Sequence, residues 1–348
     1  MRDSVTVTIV TYNSALYIGP CLEAVLSQSR PPLEVIVVDN ASSDATRSIL
    51  RGFEPRVRVE LNGRNTGFAA AQNQAIAAGS GDWVLTLNPD ALLTPGFLET
   101  MVEAGAADAS VGSVCGRLLS IGPGFVKRRE TRFDSAGIYF TPSMRHFDRG
   151  WGEPDDGRYR EREYVFGASG AAALYRREMI RDVSVGGEFF DTDFFAYRED
   201  ADVAWRSQLQ GWRCLYVPDA VAWHVRSVTP SRRGSLPPAL NMHSVKNRIL
   251  MRVKNATAGV YRRYWLSATA RDLLVAAACL TCEHTSLPAF WHAARCLPAA
   301  LRKRREILRR RRVDDDAIAR WFSSHPASEG VPPAAAWPAS APLVRRAP

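Results

Sequence analysis

The chain has 348 residues, 46% of them hydrophobic, and a net charge of +9, enough for one large domain with an appendage or two modest domains. Its six cysteines are scattered through mostly apolar surroundings, which excludes a disulfide framework and predicts reduced thiols in a cytosolic protein. The charge is split: residues 1–225 hold 23 Lys and Arg against 29 Asp and Glu, residues 226–312 hold 19 against 3, so an acidic front joins a basic back suited to an anionic surface.

The first 120 residues alternate between two hydrophobic periods. The β-branched run at 4–13 predicts a strand, and 14–29 a helix with Leu16, Leu22, Val25 and Leu26 on one face. Residues 33–40 read as a buried strand, 42–50 as a helix opened by good capping residues, and 56–61 as a strand. An alanine-rich helix at 68–79, a strand at 82–88 and a helix at 95–106 with Pro at its start complete the series. Such alternation with continuous apolar strands predicts an α/β fold, its central sheet mostly parallel and flanked by helices. Ligands of such sheets bind beyond the carboxyl ends of the strands. Those ends read Thr11-Tyr12-Asn13, Asp39-Asn40 and Asn88-Pro89-Asp90, all polar.

Residues 121–163 look loop-rich, with many charges and glycines, and order resumes at 164–180 with a strand, a glycine-containing turn and a short helix. A helix over 199–210 ends at Gly211, and 213–217 reads as a strand. From 245 to 312, Leu, Trp and Tyr mix with Arg and Lys at helical spacing. The longest apolar stretch there is too short to span a bilayer. These are expected to be amphipathic helices on an anionic membrane, or else a helical cap with a solvated basic face. No nucleic-acid reader motif accompanies the charge, so no nucleic-acid partner is expected. The N-terminal apolar run is too short for a secretory signal, and the last 25 residues, rich in Ala, Pro and Ser, are expected to be disordered.

Each candidate site residue has a plain alternative. Asp90 after a proline reads as a turn or as a cation ligand. His224 reads as a strand-end histidine or a metal ligand. Glu199 and Asp200 either populate a helix's first turn or supply a general base. Crowding of carboxylates raises a pKa while a helix N-terminus opposes the rise. Asp202 with Arg206 reads as a helix-surface ion pair.

Five segments in order, "TYN", "VVDNASSD", "NTGFAAAQN", "LNPDALL" and "FAYREDADVAWR…GW…VPDAVAWH", resemble the family 2 inverting glycosyltransferases of the GT-A fold, within them a rhamnosyltransferase-like branch. The resemblance covers about residues 4–228. It implies that Asp90 and His224 bind Mg²⁺ or Mn²⁺ and that Asp200, beside Glu199, is the base. It also implies that Thr11, Tyr12 and Asp39, at the first two strand ends with Asn13, contact the nucleotide. The family's D-x-D has Asn88 at its first position here, which lowers the negative charge. Gly67 would let the backbone approach the ligand, and the helix after it would offer N–H groups to an anion. Asn65 and Asn73 would bond the diphosphate or sugar, or else cap turns. Gly170 would line the acceptor side, and Trp205 reads equally as acceptor platform and as core.

The expected organisation is a GT-A domain over 1–228, a basic helical extension over 229–322 and a loose tail over 323–348. The expected function is metal-dependent inverting transfer from a dTDP- or UDP-sugar, rhamnose by branch resemblance, to a lipid-linked saccharide for cell-wall or surface polysaccharide. The enzyme is expected to be cytoplasmic and peripheral on the inner face of the membrane, touching it through 245–312. The alternatives are a sugar-1-phosphate nucleotidyltransferase, disfavoured because "TYNSALY" lacks a glycine-rich basic loop, and a non-catalytic carbohydrate-binding protein.

Overall fold

The computed structural model describes residues 3–226 and 238–331. It opens as the hydrophobic periods predict: β1 (Val5–Thr11), α1 (Ile18–Leu26), β2 (Glu34–Asp39), α2 (Thr46–Arg51), β3 (Arg58–Leu61), α3 (Phe68–Ala78) and β4 (Trp83–Leu87). Next come β5 (Ala91–Leu93), α4 (Phe97–Ala106), β6 (Val111–Ser120), β7 (Phe133–Ser135), β8 (Ile138–Phe140), β9 (His146–Asp148), β10 (Glu163–Val165), β11 (Ala172–Arg176) and α5 (Arg177–Val183). The chain continues through α6 (Glu199–Leu209) and β12 (Arg213–His224). It closes with α7 (Pro238–Asn255), α8 (Ala258–Thr281), α9 (Pro288–Arg309), α10 (Asp315–Ala319) and β13 (Glu329–Gly330).

One sheet organises the molecule, in the order β13-β10-β12-β6-β11-β4-β1-β2-β3, with β5 added to β12 and β7 to β6. The half β4-β1-β2-β3 is parallel. All seven residues of β1 are buried, as a central strand covered on both faces requires. The other half is mixed, because β11 runs antiparallel to both β4 and β6, while β12 is parallel to β6. The expected mostly parallel sheet therefore holds only for the first half.

The loop-rich stretch 121–163 contains more order than its composition suggests. β7 pairs with β6, and β8 forms a hairpin with β9. Three-residue strands carry too little alternation to be read from sequence.

The basic segment packs on the sheet domain rather than hanging from it. Trp321 and Phe322, beyond α10, enter the core, and Phe322 stacks near Trp205, centroids 5.1 Å apart. Past them β13 pairs with β10, so residues up to 331 belong to the fold although a loose tail was expected from 323. The expected boundary at 228/229 and the tail beyond 331 lie outside the described residues.

Charges join the two parts. Lys254 of α7 is 2% exposed. Its Nζ contacts Asp191 and lies 2.9 Å from Asp202 Oδ1. Lys303 of α9 lies 2.6 Å from the other oxygen of Asp191. Burial alone would raise the Asp191 pKa, but Lys254 and Lys303 hold it well below the usual carboxylate range. Asp202 also accepts Arg206 Nε at 3.0 Å, so the expected helix-surface pair is a buried one. Removing one partner of a buried ion pair costs about 3–5 kcal/mol, because the other charge stays stranded. Lys254→Met is therefore expected to lose about that much stability, read as a lower midpoint in urea unfolding.

Candidate active site

The site begins where β4 ends. Pro89 stops the strand ladder, and the chain re-enters it as β5, antiparallel to the end of β12 with Ala91 opposite His224. That register sets Asp90 against the histidine: Val225 N donates to Asp90 O, and His224 Nε2 lies 3.3 Å from Asp90 Oδ1. On its other side, His224 Nδ1 lies 2.8 Å from Asp134 Oδ2. Arg226 reaches Asp134 Oδ1 at 2.8 Å and Asp148 Oδ2 at 2.7 Å. Burial pulls the His224 pKa down, but Asp134, helped by Asp90, outweighs it and lifts the pKa to about 10. Asp134 stays ionised despite burial, because His224 and Arg226 hold its pKa low.

Across the same cleft, α6 begins with Glu199 and Asp200. Asp200 Oδ2 accepts Gly170 N at 2.9 Å, and Oδ1 accepts Ala201 N at 2.7 Å. Withdrawal from water raises the Asp200 pKa, with Asp148 adding to the rise and the two N–H groups opposing it. Desolvation thus prevails over the helix N-terminus. Glu199 is pushed up to about 8, by burial first and by Asp200 second, and its Oε2 is buried without a hydrogen-bond partner. Both carboxylates therefore hold a proton more readily than ordinary acids do.

Asn88, Asp90, Gly170, Glu199, Asp200 and His224 line one cleft of about 580 Å³. Asp148, Arg226 and Trp151 line it too, and none was anticipated. Arg226 could have been found as the first charge past His224, just beyond the end of β12. Asp134 and Asp148 sit on three-residue strands that give no periodic signal.

The remaining expected site residues lie outside this lining and hold the chain itself together. Trp205 is 0% exposed, packed with Phe140 and Phe322; it is core, not an acceptor platform. Asn73 clamps Phe190, its Nδ2 donating to the carbonyl at 2.7 Å and its Oδ1 accepting the N–H at 2.9 Å. Asn65 Oδ1 accepts from Asn40 Nδ2 and Gly67 N, which is a turn role. Gly67 has φ +88°, and a Cβ there would lie 2.6 Å from Phe195 Cδ2, so its openness serves internal packing. The first turn of α3 is likewise engaged, Ala69 N donating to Phe195 O. At the first strand ends, Asp39 is buried and accepts Thr11 Oγ1 at 3.0 Å, Ser42 N at 3.0 Å and Arg47 Nε at 2.6 Å. Burial would raise its pKa, and these bonds lower it. Asn13 Oδ1 accepts Ser43 N. Tyr12, 54% exposed, and Asn13 are the open members of this group.

Residues 6–184 match the family model of Glycosyl transferase family 2. The chain belongs to this family. Among its relatives is N-acetylglucosaminyl-diphospho-decaprenol L-rhamnosyltransferase of Mycobacterium tuberculosis, 29% identical over 67% of this chain and 79% of the relative. Poly-beta-1,6-N-acetyl-D-glucosamine synthase of Staphylococcus aureus is 25% identical over 64% of this chain, which spans half of the synthase. Solved structures of like fold are GalNAc-T7 with UDP, GalNAc and Mn²⁺, TM-score 0.56 at 14% identity over 72% of this chain and 48% of that one, and S. aureus TarS, TM-score 0.53 at 17% identity over 88% and 50%. The fold is thus that of the GT-A glycosyltransferases, and this protein is a glycosyltransferase; the nucleotidyltransferase and scaffold alternatives are not favoured.

A family 2 glycosyltransferase using Asp200 as base needs it ionised, so turnover falls as pH drops through its pKa. Because that pKa is raised, the acid limb of log kcat against pH is expected to bend clearly above the ordinary aspartate value of about 4.

Proposed function

We propose that this glycosyltransferase moves a sugar from a nucleoside diphosphate to a saccharide hydroxyl in one inverting displacement, with Asp200 as base and a divalent cation at Asp90 and His224. The observation that carries it is the single cleft holding both the Asp90–His224 pair and the Glu199–Asp200 pair.

The residues fit a hard or borderline cation. Two donors about 2.1 Å from one ion and at roughly right angles lie about 3.0–3.3 Å apart, and Asp90 Oδ1 and His224 Nε2 are 3.3 Å apart. Asp134 engages Nδ1, the carboxylate–histidine support that orients metal-bound imidazoles. Among the described residues no group of three or more His, Cys, Asp or Glu forms a closed metal cage. That agrees with an ion completed by substrate phosphates and water. When bound, Mg²⁺ or Mn²⁺ supplies Lewis-acid neutralisation of the departing diphosphate.

The chain's own groups do the rest. Gly170 N and Ala201 N fix the Asp200 carboxylate, leaving its remaining lone pairs for the acceptor proton. Glu199, its pKa raised by burial and by Asp200, lies beside the base and adds to the acidic character of this side of the cleft. No covalent intermediate is required, and attack opposite the leaving group inverts the anomeric carbon. Trp151 offers an aromatic face on the rim, 41% exposed, for the acceptor sugar.

A lipid-linked saccharide acceptor in cell-wall or surface polysaccharide synthesis is supported by the diphospho-decaprenol acceptor named for the mycobacterial relative. Rhamnose as the sugar is supported by that relative's name too, and a dTDP- or UDP-donor by the resemblance of the strand-end residues Thr11, Tyr12 and Asp39 to the family's nucleotide contacts. Exposed apolar side chains on α8 and α9, among them Trp265, Leu266, Leu273, Leu274, Leu280 and Trp291, lie among exposed Arg262, Arg263, Arg295, Arg302 and Arg305. That composition suits an interfacial membrane surface. Among the described residues no single helix is long and apolar enough to cross a membrane; α8 and the segment 284–309 meet the test only together, bent by 116°.

Asp200→Asn is expected to lower kcat by about 10²–10⁴-fold while titration with donor nucleotide shows unchanged binding; wild-type turnover in this variant would remove the assigned base. In sedimentation with vesicles containing anionic phospholipid, the double variant Leu273→Glu, Leu274→Glu is expected to partition about 10–100-fold less.

A further inference from the structure

The segment that delivers Glu199 and Asp200 is shaped by other elements as well as by its own bonds. Phe195, Tyr197 and Arg198 all have left-handed backbones, with φ of +64°, +71° and +73°. None is glycine, and non-glycine residues adopt that region only when their surroundings over-determine them. The surroundings here are mostly α7. Asn247 is fully buried, and its Nδ2 donates to Phe194 O at 2.9 Å, Ala196 O at 2.8 Å and Tyr197 O at 2.8 Å. Three carbonyls around one atom admit only a donor there, so the amide orientation is settled by its partners. Lys246 Nζ donates to Asp193 O. Ser244 O accepts Arg198 Nε at 2.9 Å. His243 stacks on Phe195, centroids 4.9 Å apart. One turn of one helix thus addresses nearly every residue from 193 to 198.

We propose that α7 is a working part of the active site, with Asn247 the positioning residue that sets the Glu199–Asp200 pair by capturing the carbonyls of the left-handed turn before it. The inference rests on the reading of Asp200 as the base and deepens it. The family match ends at 184, yet the base's geometry is imposed by a helix starting more than fifty residues later in the chain. Phe195 O meanwhile accepts Ala69 N, so the turn is held between α3 on one side and α7 on the other. Removing the Asn247 amide takes away the two N–H groups that these three carbonyls share, the Phe194 bond among them fully buried, and the turn is free to relax. Asp200 then loses its aim while the Asp90–His224 side of the cleft, built on β5 and β12, is undisturbed.

The test compares wild type with Asn247→Ala in the full-length protein, by amide hydrogen exchange and by steady-state kinetics with varied donor. The expected result is faster exchange confined to residues 193–201, with kcat lowered about 10–100-fold and the donor KM unchanged. A merely structural role would move stability or both kinetic constants, not kcat alone. Unchanged exchange at 193–201, or unchanged kcat, overturns the proposal. Lys246→Met, which removes only the tie to Asp193, gives a second and milder variant should Asn247→Ala not fold, with the same signs expected and the same results overturning. If wild type transfers no sugar from any donor, the reading of function fails by itself, and exchange still decides whether α7 holds the turn.

Discussion

A lysine nearly sealed from water, Lys254, stands between two aspartates that bracket the segment 191–202. Taking those charges out of water is costly, and only mutual contact offsets it. The consequence is geometric. Asp191 and Asp202 stay where Lys254 is, and everything between them, including Glu199 and Asp200, is strung across a fixed span. Asn255 adds a bond to Asp202 at 2.8 Å, and the Lys254 ammonium lies over the Phe194 ring, 4.4 Å from its centre. Such a network adds little net stability over an apolar core, but it permits one arrangement and penalises slippage.

With the span fixed, the cleft's two sides acquire opposite electrostatic characters. On one side Asp90, His224, Asp134, Arg226 and Asp148 alternate in sign, so Asp134 is kept ionised and the imidazole holds its proton between two carboxylates. On the other side Glu199 and Asp200 have like charge and are withdrawn from water, so their pKa values rise. Environments that drive pKa values apart in one pocket are how a fold obtains charge stabilisation and proton acceptance together. Asp148 touches both: it binds Arg226 on the first side and contributes to the rise at Asp200 on the second.

How much of this is legible in sequence depends on the range of each contact. β1, β2, α3 and β4 are legible because burial on a face leaves a local period, and the strand-end position of Asp90 follows from β4. The acidic start of α6 is legible for the same reason. The ligand-facing or chain-facing sense of a polar residue is not. Asn73 looks like a ligand contact on an alanine-rich helix, but its partner Phe190 is 117 residues away. Asp39 sits at a strand end as a nucleotide contact would, but Thr11, Ser42 and Arg47 already surround it. Trp205 follows the base by five positions, and only the arrival of Phe322 from the far end of the chain shows it to be core. Asp134 and Asp148 were hidden because a three-residue strand carries no period.

The basic extension illustrates that composition alone does not say which charges face outward. Its Arg and Lys content suggests a solvated or lipid-facing surface, but several of those charges point inward: Lys254 and Lys303 meet Asp191, and Arg304 donates to the carbonyls of Val253 and Ala256. α7 faces two ways. Leu240, Asn241 and Ser244 line the cleft, while Met242 and Val245 pack on Val275, Cys279 and Ala289 of α8 and α9. The helix that bonds the turn before Glu199 is therefore also the one against which α8 and α9 pack. An acceptor held at a lipid surface by α8 and α9 would meet a cleft whose wall is continuous with that surface.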